Sequence, residues 1–311
     1  MIVYPNVKVN LGLAVIRKRQ DGYHDLETLF VPYEGISDVL EIIPADDFSQ
    51  TISHIQATYA GRDGDGAPKL AQGISPDGKL MITIAGEQGI DWDPLKDLTA
   101  KAYYLLDAEY GLPAVKIFLE KRSPVGAGLG GGSADAAFAL RALSELGGQS
   151  LPAATLAALA ARLGSDCPFF LYNRPMVGRG RGEILSPYDL PASFYRNYRL
   201  EVSVPKGITV STAQAYKGIV PREAAVSGSD SGASGTIGPG QEGPDNGVIP
   251  LEEILALPVE QWPGLLVNDF EATVFAEHPA LAAHKKELYE RGAIYASMSG
   301  SGSAFLAIYR R

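Results

Sequence analysis

The sequence predicts two domains of mixed strands and helices, on three observations. Its 311 residues are more than one ordinary hydrophobic core organises. Period-two stretches and Ala/Leu-rich helical stretches both occur in the first half. The pattern then breaks at Val177–Pro191, "VGRGRGEILSPYDLP". The expected division is residues 1–180 and residues 181–311.

The elements follow in order. Val7, Val9, Leu11, Leu13 and Val15 alternate with Lys8, Asn10, Gly12 and Ala14, the signature of a strand with one apolar face. Lys8 and Asn10 then lie side by side on the other face. Asp21-Gly22 signals a turn before a second extended segment, and "SDVLEIIPA" reads as a third strand. Residues Ser53–Lys79, dotted with Gly, Asp and Pro, predict an irregular surface excursion before the strand "MITIAG". A helix follows with Asp93 as its cap, Pro94 in its first turn and Gly111 as its stop. "AVKIFLEKR" reads as a strand leading into a glycine-rich loop, followed by helices over Ser133–Leu146 and Pro152–Leu163. The second half opens on a strand, "YRLEVSVP". The tract "SGSDSGASGTIGPGQEGPDNG" is too polar to bury surface and predicts a mobile loop. Helices are expected around Leu251–Leu257 and Pro279–Arg291, then two strand-like stretches around a Gly-Ser hinge.

Composition excludes several classes. A net charge of −9 leaves no basic footprint for nucleic acid. The single cysteine, Cys167, rules out an internal disulfide and points to a reducing compartment. No apolar run is long enough for a membrane span, and the start lacks a signal-peptide layout, so the cytoplasm is the expected location.

Chemistry concentrates in Pro124–Asp135, "PVGAGLGGGSAD", with five glycines in twelve residues. Gly126, Gly128 and Gly131 satisfy G-x-G-x-x-G, but a dinucleotide fold needs a strand after the loop's helix, and here a second helix follows. A Walker A loop needs Lys after its last glycine, where this chain has Ser133-Ala134. No protein-kinase pattern accompanies the loop. A third kind of phosphate loop fits: N–H groups at the start of the Ser133–Leu146 helix facing an anion, with no lysine required inside the loop. A glycine-rich turn serving only close helix–strand packing is the alternative.

These residues, extended to Ala137, resemble the phosphate-binding motif of the GHMP kinases, the family of galactokinase and the homoserine, mevalonate and phosphomevalonate kinases. Val7–Phe30, "VKVNLGLAVIRKRQDGYHDLETLF", and Leu163–Leu171, "LGSDCPFFL", resemble a branch of that family whose acceptor alcohol is a cytidylyl methylerythritol. Tyr295–Phe305, "YASMSGSGSAF", resembles the family's third motif. The resemblance spans nearly the whole chain, apart from Ser53–Lys79 and the tract after Glu223.

The resemblance implies an α+β two-domain GHMP kinase fold, with a ribosomal protein S5 domain 2-like N-terminal domain and a ferredoxin-like C-terminal domain. It implies ATP and Mg²⁺, and phosphorylation of the substrate's 2-hydroxyl in an isoprenoid-precursor pathway. Asp166 takes the role of the base and Lys8 that of its cationic partner. ATP is held by Pro124, Val125, Gly126, Ala127, Gly128, Leu129, Gly130, Gly131, Gly132, Ser133 and Ala134. Ser133 is the candidate Mg²⁺ ligand, and Ser299–Gly302 closes over the phosphates. Tyr23 and His24 read cytosine by stacking and hydrogen bonding, Tyr216 supplies a second aromatic, and Asn10 bonds the substrate. Many relatives have Ser-Ser-Asn where this chain has Ser133-Ala134-Asp135, so Asp135 either stands near the phosphates or points away. Cys167, beside the Phe169-Phe170 pair, reads as a packed residue rather than a nucleophile. Two alternatives remain: a GHMP kinase for another small alcohol, and a non-catalytic ATP-binding regulator.

Overall fold

The computed structural model describes residues 1–223 and 249–311. The Gly/Ser/Pro-rich tract expected to form a mobile loop lies outside the described residues. The chain divides into two units, one of Met1–Val9 with Phe30–Met176, the other of Asn10–Leu29 with Val177–Arg311. The second boundary falls near the expected residue 180. The hairpin Asn10–Leu29, expected in the first domain, groups instead with the second unit. The reason is burial: Leu13 and Val15 sit in one apolar cluster with Val210, Phe270 and Val274.

The first unit is built on a five-stranded sheet of order β1-β4-β7-β6-β5. Its strands are β1 (Ile2–Val3), β4 (Val39–Pro44), β5 (Leu70–Ile74), β6 (Leu80–Gly86) and β7 (Val115–Lys121). Only β6 and β7 pair in parallel; the other neighbours are antiparallel. The excursion expected over Ser53–Lys79 is more ordered than its composition suggests. It contains the helix α1 (Ile52–Thr58) and the edge strand β5, whose register Leu70↔Ala85 to Ile74↔Met81 is set by pairing with β6. Backbone pairing supplied by a neighbour overrides weak local propensity there.

The helix expected from Asp93 forms in two pieces. Asp93 caps a single 3₁₀ turn, Pro94–Lys96, by accepting from the Leu95 N–H at 3.0 Å. Asp97 then caps α2 (Leu98–Tyr110), accepting from Thr99 N–H at 2.8 Å. Gly111 stops α2 in the left-handed conformation, φ 68°, as expected. After the glycine loop come α3 (Gly131–Leu146), α4 (Ala153–Leu163) and α5 (Cys167–Tyr172). The buried face of α3 is Ala134, Ala137, Leu140 and Leu143, spaced three or four apart.

The second unit carries an antiparallel sheet of order β10-β12-β11, from Tyr198–Ser203, Phe305–Arg310 and Tyr295–Met298. Phe305, Ala307 and Tyr309 alternate onto one face of β12, where they join Val274, Leu281 and Leu288 of the helices Phe270–Glu277 and Pro279–Glu290. Sheet and helices make a two-layer α/β sandwich, with three strands among the described residues where the expected ferredoxin-like domain has four.

The long strands β2 (Asn6–Lys18) and β3 (His24–Ser37) carry the chain from the first unit into the second and back. They belong to a sheet of order β2-β3-β8-β9, with β8 at Met176–Gly180 and β9 at Ile184–Pro187. Residues 6–15 of β2 are buried without a break, so the strand expected to show one polar face is covered on both. Polar side chains on such a strand need partners. Lys8 and Asn10 are therefore placed by specific bonds and not by solvent. Among the described residues no helix is long and apolar enough to cross a membrane.

Candidate active site

The glycine loop runs from the end of β7 into α3. Gly126, Gly128 and Gly130 adopt φ of 71°, 80° and 73°, a left-handed backbone that side chains rarely take. At Gly131 the reason is space, because a Cβ there would be driven into Ser123 Oγ. Gly130 is the N-cap of α3 and provides no side-chain cap, so the first N–H groups of that helix are offered outward. Pro124, Val125, Gly126, Ala127, Gly128, Gly130, Gly131, Gly132 and Ser133 line a cavity of about 340 Å³, together with Trp92, Asp97 and Lys121. Leu129 and Ala134 are buried at 1% and 0% exposure and serve the core. A cavity of this size, walled by backbone donors, suits a nucleotide phosphate chain.

Lys8 joins this loop to Asp166. Its Nζ donates to Gly128 O at 3.0 Å and stands 3.6 Å from Asp166 Oδ2, while its backbone N–H donates to Leu129 O at 2.9 Å. The ammonium also lies 5.2 Å from the centre of the Phe30 ring. The Lys8 side chain is 4% exposed and that of Asp166 31%, so the carboxylate is the member of the pair that a substrate can reach. Burial pushes the Lys8 ammonium below its ordinary 10.5, against the opposing pull of the Asp166 charge. The alkaline fall in kcat is expected at a pH below 10.5, and Lys8→Arg, which keeps its charge throughout, moves that fall upward. Steady-state rates across alkaline pH test this; an unmoved alkaline limb would detach it from Lys8.

Asp166 is displayed at the N-cap position of α5, between Gly164 and the buried run Cys167–Leu171. Cys167 is fully buried and its thiol is pushed up to about 11, chiefly by burial. It packs in the buried run of α5. Ser133, in the first turn of α3, lies beside the Cys167 thiol at this same junction.

Asp135 lines the same cavity, and its carboxylate joins an ionic cluster at the root of the loop. Its Oδ2 receives Lys121 Nζ at 2.6 Å, and Lys121 also donates to Asp38 and, at 3.1 Å, to Ser123 Oγ. Asp38 accepts the Arg122 and Ser123 N–H groups, both at 2.6 Å. Burial pushes the Lys121 ammonium down, but the two carboxylates outweigh it and hold the pKa above the ordinary lysine value. Burial drives the Asp135 carboxyl up, with Lys121 opposing and Asp38 reinforcing. The cluster ties β4, the root of the glycine loop and α3 together. Sequence reading missed Lys121 and Asp38, because partners 83 residues apart leave no local signal.

In the second unit two of the expected substrate residues stack on each other and a third has a partner of its own. His24 stacks on Tyr216 with ring centres 4.8 Å apart and planes at 17°, and Tyr216 meets Phe270 edge-on. Burial, helped by Lys18, holds the His24 imidazole below 6.5, leaving a neutral donor and acceptor at pH 7. Tyr23 is not part of that stack: its ring carries the Arg181 guanidinium at 4.0 Å. Consecutive residues at the start of a strand diverge, which separates Tyr23 from His24.

Asn10 is buried at 1%. Its Nδ2 donates to Thr28 Oγ1 at 2.9 Å, and its Oδ1 accepts from Ser299 Oγ at 3.3 Å. The Gly-Ser segment is pinned by a residue the sequence reading did not single out. Asn268 Nδ2 donates to Met298 O at 2.7 Å and Gly300 O at 2.8 Å, while its Oδ1 receives the Phe270 N–H at 3.0 Å. The pair Asn268-Asp269 before an apolar helix is a helix-start signal that would have drawn attention to it.

A phosphate-sized glycine cradle sharing one lysine with a displayed aspartate is the equipment of a phosphotransferase. The GHMP kinase N-terminal domain profile matches residues 97–174, and the GHMP kinase C-terminal profile matches residues 255–311. Fold and site thus define a GHMP kinase. Over its full length the chain is 39% identical to a 4-diphosphocytidyl-2-C-methyl-D-erythritol kinase of Azobacteroides pseudotrichonymphae, covering 94% of that protein. It is 39% identical to the enzyme of the same name from Bacteroides fragilis, over 99% of this chain and 92% of the relative. A crystal structure of 4-(cytidine 5'-diphospho)-2C-methyl-D-erythritol kinase superposes over 99% of this chain and 89% of its own, with TM-score 0.65 and 32% identity. A mevalonate kinase structure, 12% identical at TM-score 0.58 over 99% of this chain and 91% of its own, shares the fold alone. The chain belongs to the 4-diphosphocytidyl-2-C-methyl-D-erythritol kinase family.

Proposed function

We propose that this protein transfers the γ-phosphoryl group of ATP to the 2-hydroxyl of 4-diphosphocytidyl-2-C-methyl-D-erythritol. Beyond the family relationship, the observation that carries the mechanism is the double contact of Lys8. One ammonium touches both Asp166 and a carbonyl of the glycine loop, which brings the base and the phosphate cradle within one side chain's span.

The glycine loop and the N-terminus of α3 bind the phosphate chain through backbone N–H groups. Asp166 accepts the proton of the attacking hydroxyl. The new P–O bond forms to that oxygen as the bond to the β-phosphate oxygen breaks, ADP leaves, and Asp166 later gives its proton to solvent. Lys8 holds the Asp166 carboxylate by its ion pair and sets positive charge beside the transferring group. Ser133, which lines the same cavity, is the residue that would hold Mg²⁺. When bound on the phosphates, that ion neutralises their charge. Asn10 and the Ser299–Gly302 segment serve the substrate; the exposed Tyr23 ring offers cytosine a stacking face, and the neutral His24, stacked on the second aromatic Tyr216, offers it hydrogen bonds.

Measuring ADP release with the cytidylyl alcohol, homoserine and mevalonate in parallel tests the proposal. The expected result is a kcat/KM for the cytidylyl alcohol that exceeds the others by orders of magnitude. Comparable turnover of homoserine or mevalonate would overturn it.

A further inference from the structure

We propose that Arg181 is a specificity-determining residue: its guanidinium backs one face of Tyr23 and binds the diphosphate of a cytidine diphosphate ester stacked on the other face. This rests on the cytidylyl reading above and adds the residue that distinguishes the diphosphate ester from the bare nucleoside.

The first observation is the stack itself. Tyr23 is 51% exposed, and the Arg181 guanidinium carbon lies 4.0 Å from its centre. Only one face of the ring is occupied by this contact. An arginine stacked on an aromatic keeps its N–H donors in the guanidinium plane, directed away from the ring, where they match phosphate oxygens in pairs.

The second is charge. The neighbouring arginines are committed: Arg17 to Asp25, Arg19 to Asp21 and Asp25, and Arg179 to Glu27 and Glu252. Among the described residues Arg181 forms no such ion pair, although Asp21 feels its charge. In a protein of net charge −9, anion binding needs local donors of this kind.

The third is how the residue is held. Arg181 sits at the tip of the turn from β8 to β9, between Gly180 and Gly182 at φ of 67° and 106°. Its backbone N–H donates to Glu183 Oε2 at 2.6 Å. The turn presents the guanidinium to Tyr23 by its backbone, so the side chain's donors stay available.

The test is titration calorimetry of cytidine, CMP and CDP on the full chain, with a non-hydrolysable ATP analogue filling the glycine-loop cavity. In Arg181→Gln, CDP is expected to bind about 10-fold or more weakly, the size of a lost charged hydrogen bond. Cytidine is expected to keep its affinity. Arg181→Lys recovers part of the CDP loss, and the acceptor KM rises in Arg181→Gln while kcat holds. Equal losses for cytidine and CDP, or no loss for either, would overturn the assignment. Tyr23→Ala, beside the unaltered protein, separates this assignment from the parent reading. If that variant binds cytidine as the unaltered protein does, the ring is no base platform and the role of Arg181 falls; if the unaltered protein binds neither cytidine nor CDP, the cytidylyl reading itself falls.

Discussion

Asp166→Asn is expected to lower kcat by about 10²–10⁴, the contribution of a positioned general base, and to leave the KM for ATP nearly unchanged. The amide has the shape of the carboxylate but cannot take the proton of the attacking hydroxyl. The ATP cradle is built from the glycine loop and α3, whose backbone the substitution does not touch. A second signature follows from Lys8. Burial already lowers its pKa, and the Asp166 charge is the influence that opposes this. With that charge gone, the ammonium loses its proton at still lower pH, so the residual activity falls earlier on the alkaline side. Steady-state kinetics across pH read both effects. An unaltered kcat would remove Asp166 from the mechanism; a parallel collapse of ATP binding would make its role structural.

Lys121→Met is expected to give the largest loss of stability, about 3–5 kcal/mol, because it strands two buried carboxylates that share one cation. Asp38 and Asp135 are 0% and 1% exposed, and Lys121 bridges both. The loss depends on pH with a definite sign. Burial already pushes the Asp135 carboxyl above its ordinary 3.8, and without Lys121 it rises further. A carboxyl with a raised folded pKa binds more protons folded than unfolded, so stability falls as pH climbs from 3.8 through the folded value. The deficit should therefore be wider at pH 8 than at pH 5 in urea titrations. A deficit independent of pH would mean that lost packing dominates. Asp135→Asn is the milder change, since Lys121 keeps Asp38.

The catalytic half of the site was legible in the sequence because it rests on local chemistry. Glycines that need left-handed backbone, a strand lysine and an aspartate flanked by Gly164 and Pro168 each leave a mark within a few residues. The supports were not legible, because they are long-range. Lys121 in "LEKRSP" looks like any solvated charge until the fold brings Asp38 and Asp135 to it. Asp135, a departure from the usual neutral residue, is explained only by that lysine. In β2 the alternation was read correctly but its consequence was not. The face bearing Lys8 and Asn10 is buried, so these residues are held by named partners. The hairpin Asn10–Leu29 joins the second unit through Leu13 and Val15, a choice between two cores that alternation alone does not express. Tyr23 and His24 are adjacent in the chain, yet their ring neighbours are Arg181 and Tyr216, distant partners that adjacency does not express.

The most direct measurement is ³¹P NMR of the purified protein with ATP, Mg²⁺ and 4-diphosphocytidyl-2-C-methyl-D-erythritol, with homoserine and mevalonate as parallel acceptors. A new phosphomonoester resonance on the cytidylyl substrate alone, growing in step with ADP and absent with Asp166→Asn, is the predicted result. Phosphorylation of another alcohol in its place, or bound ATP that is never turned over with any of the three, would contradict it.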